Sequence, residues 1–319
     1  MTTKRTLLAG AMGLALVAMT PVSGAQAQEG AFPNRPITVI VPFAPGGRTD
    51  TVARMLAQAI EEHGFLDRPM VIVNVAGGAG APAVAQMQAN PADGHTVIHW
   101  HHQALIAMAM ELGEFTLDDF VSLGYTGGGS PVWTVRDDSE FQTLEDLIDH
   151  LHANPRSLVE AVGIGTIPHL VGAMLANEAG FETRYLSAAS GADRLRAVLG
   201  GNADIALFAA SEYLNSEGLR ALVYFGNSRL PELPDLPTSA ELGFVTNWAN
   251  PNWWLAAAGT PPEAAAALSS ALEQALALPE IQDYFVNNTL EPYWLGGDEA
   301  MADAAEVLER LRVVAAEIQ

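Results

Sequence analysis

Two short stretches of this chain carry residue types suited to a small anion. The first is Phe43-Ala44-Pro45-Gly46-Gly47-Arg48-Thr49-Asp50. Its glycines permit backbone angles that other residues resist and let a ligand approach the main chain. Arg48 offers a planar fork that matches a carboxylate. Thr49 or Asp50 would cap a following helix by accepting an unpaired first-turn N–H. The second stretch, Gly163-Ile164-Gly165-Thr166-Ile167-Pro168-His169, has the same design. A strand, a glycine turn and a helix start together suit an anion. Neither stretch is a GxxxxGK[ST] phosphate loop or a GxGxxG dinucleotide fingerprint. A third group is His95, His99, His101 and His102. Strand parity would put the first three on one face, where histidines can hold zinc. The preferred reading is that they line a cleft as ligand donors, with no metal.

The elements that must position these residues follow from periodicity. Residues 37–41 are a β-branched run, as in a strand buried on both faces of a parallel sheet. Val52, Met55, Leu56, Ala59 and Ile60 recur at helical spacing and predict the helix after the first loop. Strands over 70–75 and 95–99 with a helix over 82–89 continue the alternation. That pattern argues for a parallel sheet with helices on its faces. Ligands in such sheets bind beyond the carboxyl ends of the strands.

A second strand–helix series follows. Thr143-Leu144-Glu145-Asp146 predicts a capping box. A strand over 158–161 leads into the 163–169 loop and a helix that stops at Gly180. Strands over 183–186, 203–208 and 219–225 complete this series. Gly127-Gly128-Gly129-Ser130 is the expected first crossing between two lobes, and 253–258 the second. Helices over 262–277, 280–286 and 298–318 are expected to return to the first lobe. The domain reading is therefore a leader over 1–27, lobe 1 over 28–127, lobe 2 over 128–250, and a return to lobe 1 over 251–319.

Composition bounds the function. Lys4 and Arg5, an apolar run to Met19 and Ala25-Gln26-Ala27 read as an export signal cleaved after Ala27. No later stretch is apolar enough to span a bilayer. There is no Cys, so thiol chemistry and Cys-bound metal are excluded. Beyond residue 27 there are 13 arginines, no lysine and 37 acidic residues, a formal charge of −24. Such a chain is a poor partner for nucleic acid or an anionic membrane. An anionic ligand would therefore need local donors.

Several ordered fragments resemble the Bug-type substrate-binding proteins of tripartite tricarboxylate transporters. They are Pro33-Asn34-Arg35-Pro36-Ile37, 41–50, Pro91-Ala92-Asp93-Gly94-His95-Thr96, Asp118-Asp119-Phe120 and Gly163-Ile164-Gly165-Thr166 with His169-Leu170. Leu199-Gly200-Gly201-Asn202-Ala203-Asp204, Arg229 with 233–238, and Glu241-Leu242-Gly243 follow. The resemblance implies an α/β, two-lobe periplasmic-binding-protein fold of type II kind. Each lobe would be a mainly parallel sheet flanked by helices, with the ligand in the interlobe cleft.

It further implies a monomeric periplasmic receptor for a small carboxylate, acting with the membrane components of a tripartite tricarboxylate transporter. No cofactor and no covalent step are implied. The 43–50 and 163–169 loops would hold one carboxylate through main-chain N–H groups, assisted by the Thr49 and Thr166 hydroxyls. Oriented amides form an anion nest without net positive charge. Phe43, Pro45, His101, His102, Ser187, Ser190, Asp204 and Phe208 complete the expected site, with Asp50 read first as a cap. The chain departs from the family pattern at Thr166 (usually Ser), at His95 (usually Tyr) and at Ser187-Ala188-Ala189-Ser190, where Pro-Tyr-Lys-Gly is common. Its Val75-Ala76-Gly77-Gly78-Ala79-Gly80 keeps only part of an Arg-Pro-Gly-Ala-Gly-Gly stretch. The competing classes are an exported metal-dependent hydrolase built on the four histidines, and a ligand sensor for a membrane kinase.

Overall fold

The computed structural model describes residues 32–318. The expected leader over 1–27 lies outside them. The elements run β1 (Ile37–Val41), α1 (Arg48–His63), β2 (Met70–Asn74), α2 (Ala81–Gln88), β3 (Thr96–Trp100), α3 (Gln103–Ala109) and β4 (Phe120–Gly128). Then come β5 (Pro131–Arg136), α4 (Leu144–Ala153), β6 (Val159–Val162), α5 (Ile167–Ala179), β7 (Arg184–Ser187), α6 (Gly191–Leu199), β8 (Ile205–Ala209), α7 (Ala210–Leu214) and β9 (Leu219–Tyr224). The chain ends with β10 (Pro251–Ala257), α8 (Pro262–Leu276), α9 (Pro279–Asn287), β11 (Glu291–Gly296) and α10 (Gly297–Ile318).

These strands form two sheets, one per lobe, ordered β11-β4-β10-β3-β1-β2 and β7-β6-β8-β5-β9. Each has a parallel trio, β2-β1-β3 in the first and β7-β6-β8 in the second. The remaining pairings are antiparallel, because the chain enters and leaves the second sheet through strands that run back beside the trio. β1 is central to its trio, which is why Ile37, Val39, Ile40 and Val41 are all fully buried. The chain passes between the sheets from β4 to β5 and again from β9 to β10. β10 inserts between β3 and β4. Trp254 Nε1 donates to Thr126 Oγ1 (2.8 Å) and Trp253 Nε1 to Ser122 Oγ (2.9 Å). The two bulkiest side chains of that strand are thus buried with their polar atoms satisfied.

The core has a face on each side of the first sheet. One, with Val52, Leu56, Ile60, Leu268 and Leu272, packs α1 and α8. The other runs on into the second sheet: Trp100, Leu308, Leu311 and Val314 belong to one cluster with Trp133, Leu170, Val171, Met174 and Trp248. α10 accordingly packs on both α3 and α5. No helix among the described residues is long and apolar enough to cross a membrane.

The predicted capping box at Thr143 is present: its hydroxyl accepts from Asp146 N–H, and Asp146 accepts from Thr143 N–H. Thr143→Ala should cost about 1 kcal/mol in a urea melt. α3, α7 and β11 are among the elements that carry no sequence prediction. α3 is apolar on every side, so no amphipathic period marks it. β11 is an edge strand containing Pro292, a residue that argues against strand in a sequence.

Candidate functional site

β1 ends at Val41, and the chain turns through the exposed Pro45, Gly46 and Gly47 into α1. Gly46 lies at φ +86°, a conformation glycine adopts without strain. The N-cap of α1 is Gly47, which has no side chain to accept an amide. Among the described residues the first-turn N–H groups of α1 are therefore uncapped. α2, α3, α5, α8 and α9 likewise have no side-chain cap, whereas in α4 and α6 the corresponding amides are met by capping boxes.

Asp50 holds this turn from below. Its carboxylate accepts Gly46 N–H (2.9 Å), Asn74 Nδ2 (2.9 Å) and Arg54 Nε (3.0 Å), and Asn74 also donates to Phe43 O (3.0 Å). The Arg54 hydrogen bond leads the causes that push its pKa down to about 2. Asp50 is 3 % exposed and its oxygens are committed, so it positions the loop. Thr49 is buried as well, at 5 %.

Phe43 stacks on His101, with ring centroids 4.8 Å apart and planes 8° from parallel. This joins the end of β1 to the end of β3. Burial, then the Arg48 charge, hold His101 well below its ordinary pKa. Burial holds His99 at about 3, stacked on Trp254 at 4.2 Å. The imidazoles here are neutral, and besides Arg54, which pairs with Asp50, the positive charge at this end of the sheet is Arg48. Its guanidinium reaches Gly129 O (3.5 Å) in the first crossing and Asn250 O (3.4 Å) in the second.

The second loop is turned inward. Thr166 N–H and its hydroxyl both donate to Gly163 O, at 3.0 and 2.6 Å, and Gly165 N–H donates to His169 Nδ1 at 3.1 Å. A Cβ on Gly163 would lie 2.8 Å from Thr166 Oγ1, which explains glycine there. Ile164 is 53 % exposed. Pro168 has no N–H to offer. The Thr166 hydroxyl, expected to assist a ligand, is thus engaged within the loop.

Of the other expected site residues, Ser187 and Ser190 flank a loop beside Gly163, whose Cβ would lie 3.4 Å from Ala189 O, whereas Asp204, Phe208 and His102 lie elsewhere. Asp204 precedes β8 and accepts Val159 N–H (2.8 Å) at the start of β6, the end of the sheet opposite the Gly163 loop. Phe208 is 2 % exposed in the second sheet's core, with the Arg194 guanidinium 5.5 Å from its ring centre. Ser190 is occupied as the N-cap of α6, bonded both ways with Asp193. Ser187 is exposed at the end of β7. His102 is buried against Tyr125 and Trp248, in a separate 280 Å³ cavity that Asp303 and Arg310 also line.

The four histidines also separate. His95 sits before β3, against Phe32 and bonded to Asn34 N–H, at the far end of the strand from His101. Among the described residues no three His, Cys, Asp or Glu side chains converge as a metal site. The carbonyls of Gly129 and Asn250 were invisible to sequence reasoning. The glycines at 127–129 signalled a crossing, but nothing marks Asn250 as Arg48's partner.

The family described as "Tripartite tricarboxylate transporter family receptor" matches residues 52–319. The chain belongs to that family. The receptor is 28 % identical to protein BugT of Bordetella pertussis over 289 residues, which is 88 % of each chain. Its fold is similar to that of a TctC solute-binding protein from Polaromonas, at TM-score 0.82 and 23 % identity, covering 90 % of the receptor and 99 % of that chain. It is also similar to an R. palustris protein solved with adipate, at TM-score 0.63 and 25 % identity, covering 90 % and 97 %. The family and two-lobe fold expected from the sequence fragments therefore stand. The 43–50 loop precedes the matched span.

Proposed function

We propose that this receptor is periplasmic and monomeric, and that it traps a small organic carboxylate between its two lobes. It then delivers the ligand to the membrane components of a tripartite tricarboxylate transporter. Lobe 1 comprises 28–127 and 251–319, and lobe 2 comprises 128–250. The observation that carries the reading is the start of α1: first-turn amides without a side-chain cap, beside a cation with no carboxylate partner among the described residues. Membership of the family and the adipate-bound neighbour support it. Main-chain donors at a helix start favour an anion even on a strongly acidic protein, because charges farther than about 8 Å are screened at physiological salt. Closure of the lobes would remove water from the ligand and strengthen those bonds.

Titration calorimetry with a panel of mono-, di- and tricarboxylates should give a dissociation constant on the order of 1 μM for at least one member. Product analysis of the same mixtures should show no turnover. Hydrolysis or isomerisation of a panel member, or no binding across the whole panel, would remove the reading. Mass spectrometry of ligand released from freshly purified protein identifies the natural compound.

A further inference from the structure

Glu291 begins β11, the edge strand of the first sheet, and Tyr224 ends β9, the edge strand of the second. Both lie at the sheet ends that carry the 43–50 and 163–169 loops. β9 runs the same way as β8, because each is antiparallel to β5, so Tyr224 is at the end where the β7-β6-β8 trio finishes. β11 runs opposite to β3 through three antiparallel steps, so its first residue is at the end where β3 finishes.

The Glu291 carboxylate leaves its own sheet. Its Oε1 accepts the Tyr224 hydroxyl at 2.7 Å and the Ser130 hydroxyl at 3.4 Å. The main-chain N–H groups of Asn227 and Ser228, just beyond β9, donate to it as well. Burial raises the carboxyl's pKa, and these donors oppose that rise. All four are neutral, and every one comes from outside the first sheet. Two glycines make the room. A Cβ on Gly226 would lie 2.2 Å from Glu291 Oε1, and one on Gly127 would lie 2.4 Å from Glu291 O. Tyr224 is itself fixed: it is fully buried, its N–H donates to Pro237 O and its carbonyl accepts Ser239 N–H.

The first crossing is only Gly129 and Ser130, which tethers the lobes and leaves their angle to other contacts. α10 joins the lobes by apolar packing. Glu291 joins them by hydrogen bonds at the ligand ends of the sheets. We propose that Glu291 is a positioning residue: its bond to Tyr224 holds those two ends together and so fixes how the 43–50 and 163–169 loops face each other. Without the bond the ends swing apart, and a ligand that grips both lobes must first bring them back. The affinity consequence rests on the receptor reading above; the lobe geometry does not.

The chain has no cysteine, so a pair introduced at the exposed Gln58 of α1 and Asp149 of α4 takes spin labels at those two places alone. Pulsed electron paramagnetic resonance of the unliganded protein then reads the distance between the lobes. Tyr224→Phe deletes the hydroxyl and Glu291→Gln the charge. Each should raise the share of longer distances from at most about 10 % of molecules to about half, the effect of losing one charge-assisted hydrogen bond. The double variant should fall short of the sum, since both changes act on one bond. A carboxylate that binds the parent should bind each single variant about twofold more weakly. Unchanged distances in both variants, even with a lowered melting temperature, would overturn the assignment and leave Glu291 a structural carboxylate. Longer distances with an unchanged dissociation constant would overturn its link to the ligand loops. Failure of every carboxylate to bind the parent would instead remove the receptor reading, with the distance result standing by itself.

Discussion

Asp50→Ala should lower stability by about 3 kcal/mol at pH 7 and abolish ligand binding, although Asp50 is placed to touch no ligand. The carboxylate is nearly inaccessible and serves Gly46, Asn74 and Arg54 at once. Removing it leaves a buried amide and a turn N–H unmet, which is where the large cost arises. The Gly46–Gly47 turn then loses its anchor, and the amides at the start of α1 lose their geometry. Asp50→Asn, which keeps an acceptor for Gly46, should fall between the two. The pH dependence has a definite sign. The folded pKa is depressed from 3.8 to about 2, so the contribution is complete above 3.8 and is lost as pH falls through 2. Urea melts at pH 7 and pH 3 should show a smaller penalty for Asp50→Ala at the lower pH. An undiminished penalty would mean that packing, and not charge, holds the turn.

Glu160→Gln should act in the opposite direction and stabilise the protein at pH 8 by up to about 3 kcal/mol. Glu160 is 1 % exposed in the second sheet, with Trp133 Nε1 donating at 2.9 Å and the Thr183 hydroxyl at 3.4 Å. No cation pairs with it among the described residues. Burial raises its pKa from 4.5 to about 7. A carboxyl held that far above its ordinary range opposes folding once ionised, by about 3 kcal/mol at the limit. The stability it lends as a neutral acid is complete below pH 4.5 and lost as pH rises through 7. The wild type should therefore weaken across that interval, and the glutamine variant, which keeps an acceptor for the indole, should not. Melting curves from pH 4.5 to 8.5 decide it: parallel profiles for the two proteins would place the charge elsewhere.

The parts of this molecule that were legible beforehand are those written in local chemistry. The β-branched run of β1, the Thr143 box and the glycines at the first crossing each act over a few residues, and the structure has them where their chemistry requires. The second crossing, expected at 253–258, instead precedes β10, and 253–257 already belong to the first sheet. Side-chain direction was not legible. Arg48 announces an anion by type, but its bonds lie 81 and 202 residues away, a distance no local pattern encodes. Asp204 and His95 sit away from the Phe43–Asp50 and Gly163–His169 loops for a simpler reason. Each precedes its strand, whereas the ligand end is where parallel strands finish. With about 3.3 Å per residue, His95 and His101 belong to different ends of the sheet even on one face. Ser190 and Thr166 carried the right hydroxyl, but their nearest neighbours in sequence had already engaged it.

α10 has a bearing on how the protein is made. Its Leu308, Leu311 and Val314 complete a cluster that also holds Leu170, Val171 and Met174 from the middle of the chain. Those middle residues emerge from the ribosome well before the stretch that shields them, since synthesis proceeds at about 5–20 residues per second from the other terminus. Until translation finishes, the half-built molecule keeps a greasy flank open to chaperones. A nonsense codon near position 300 would strip cover from both halves together.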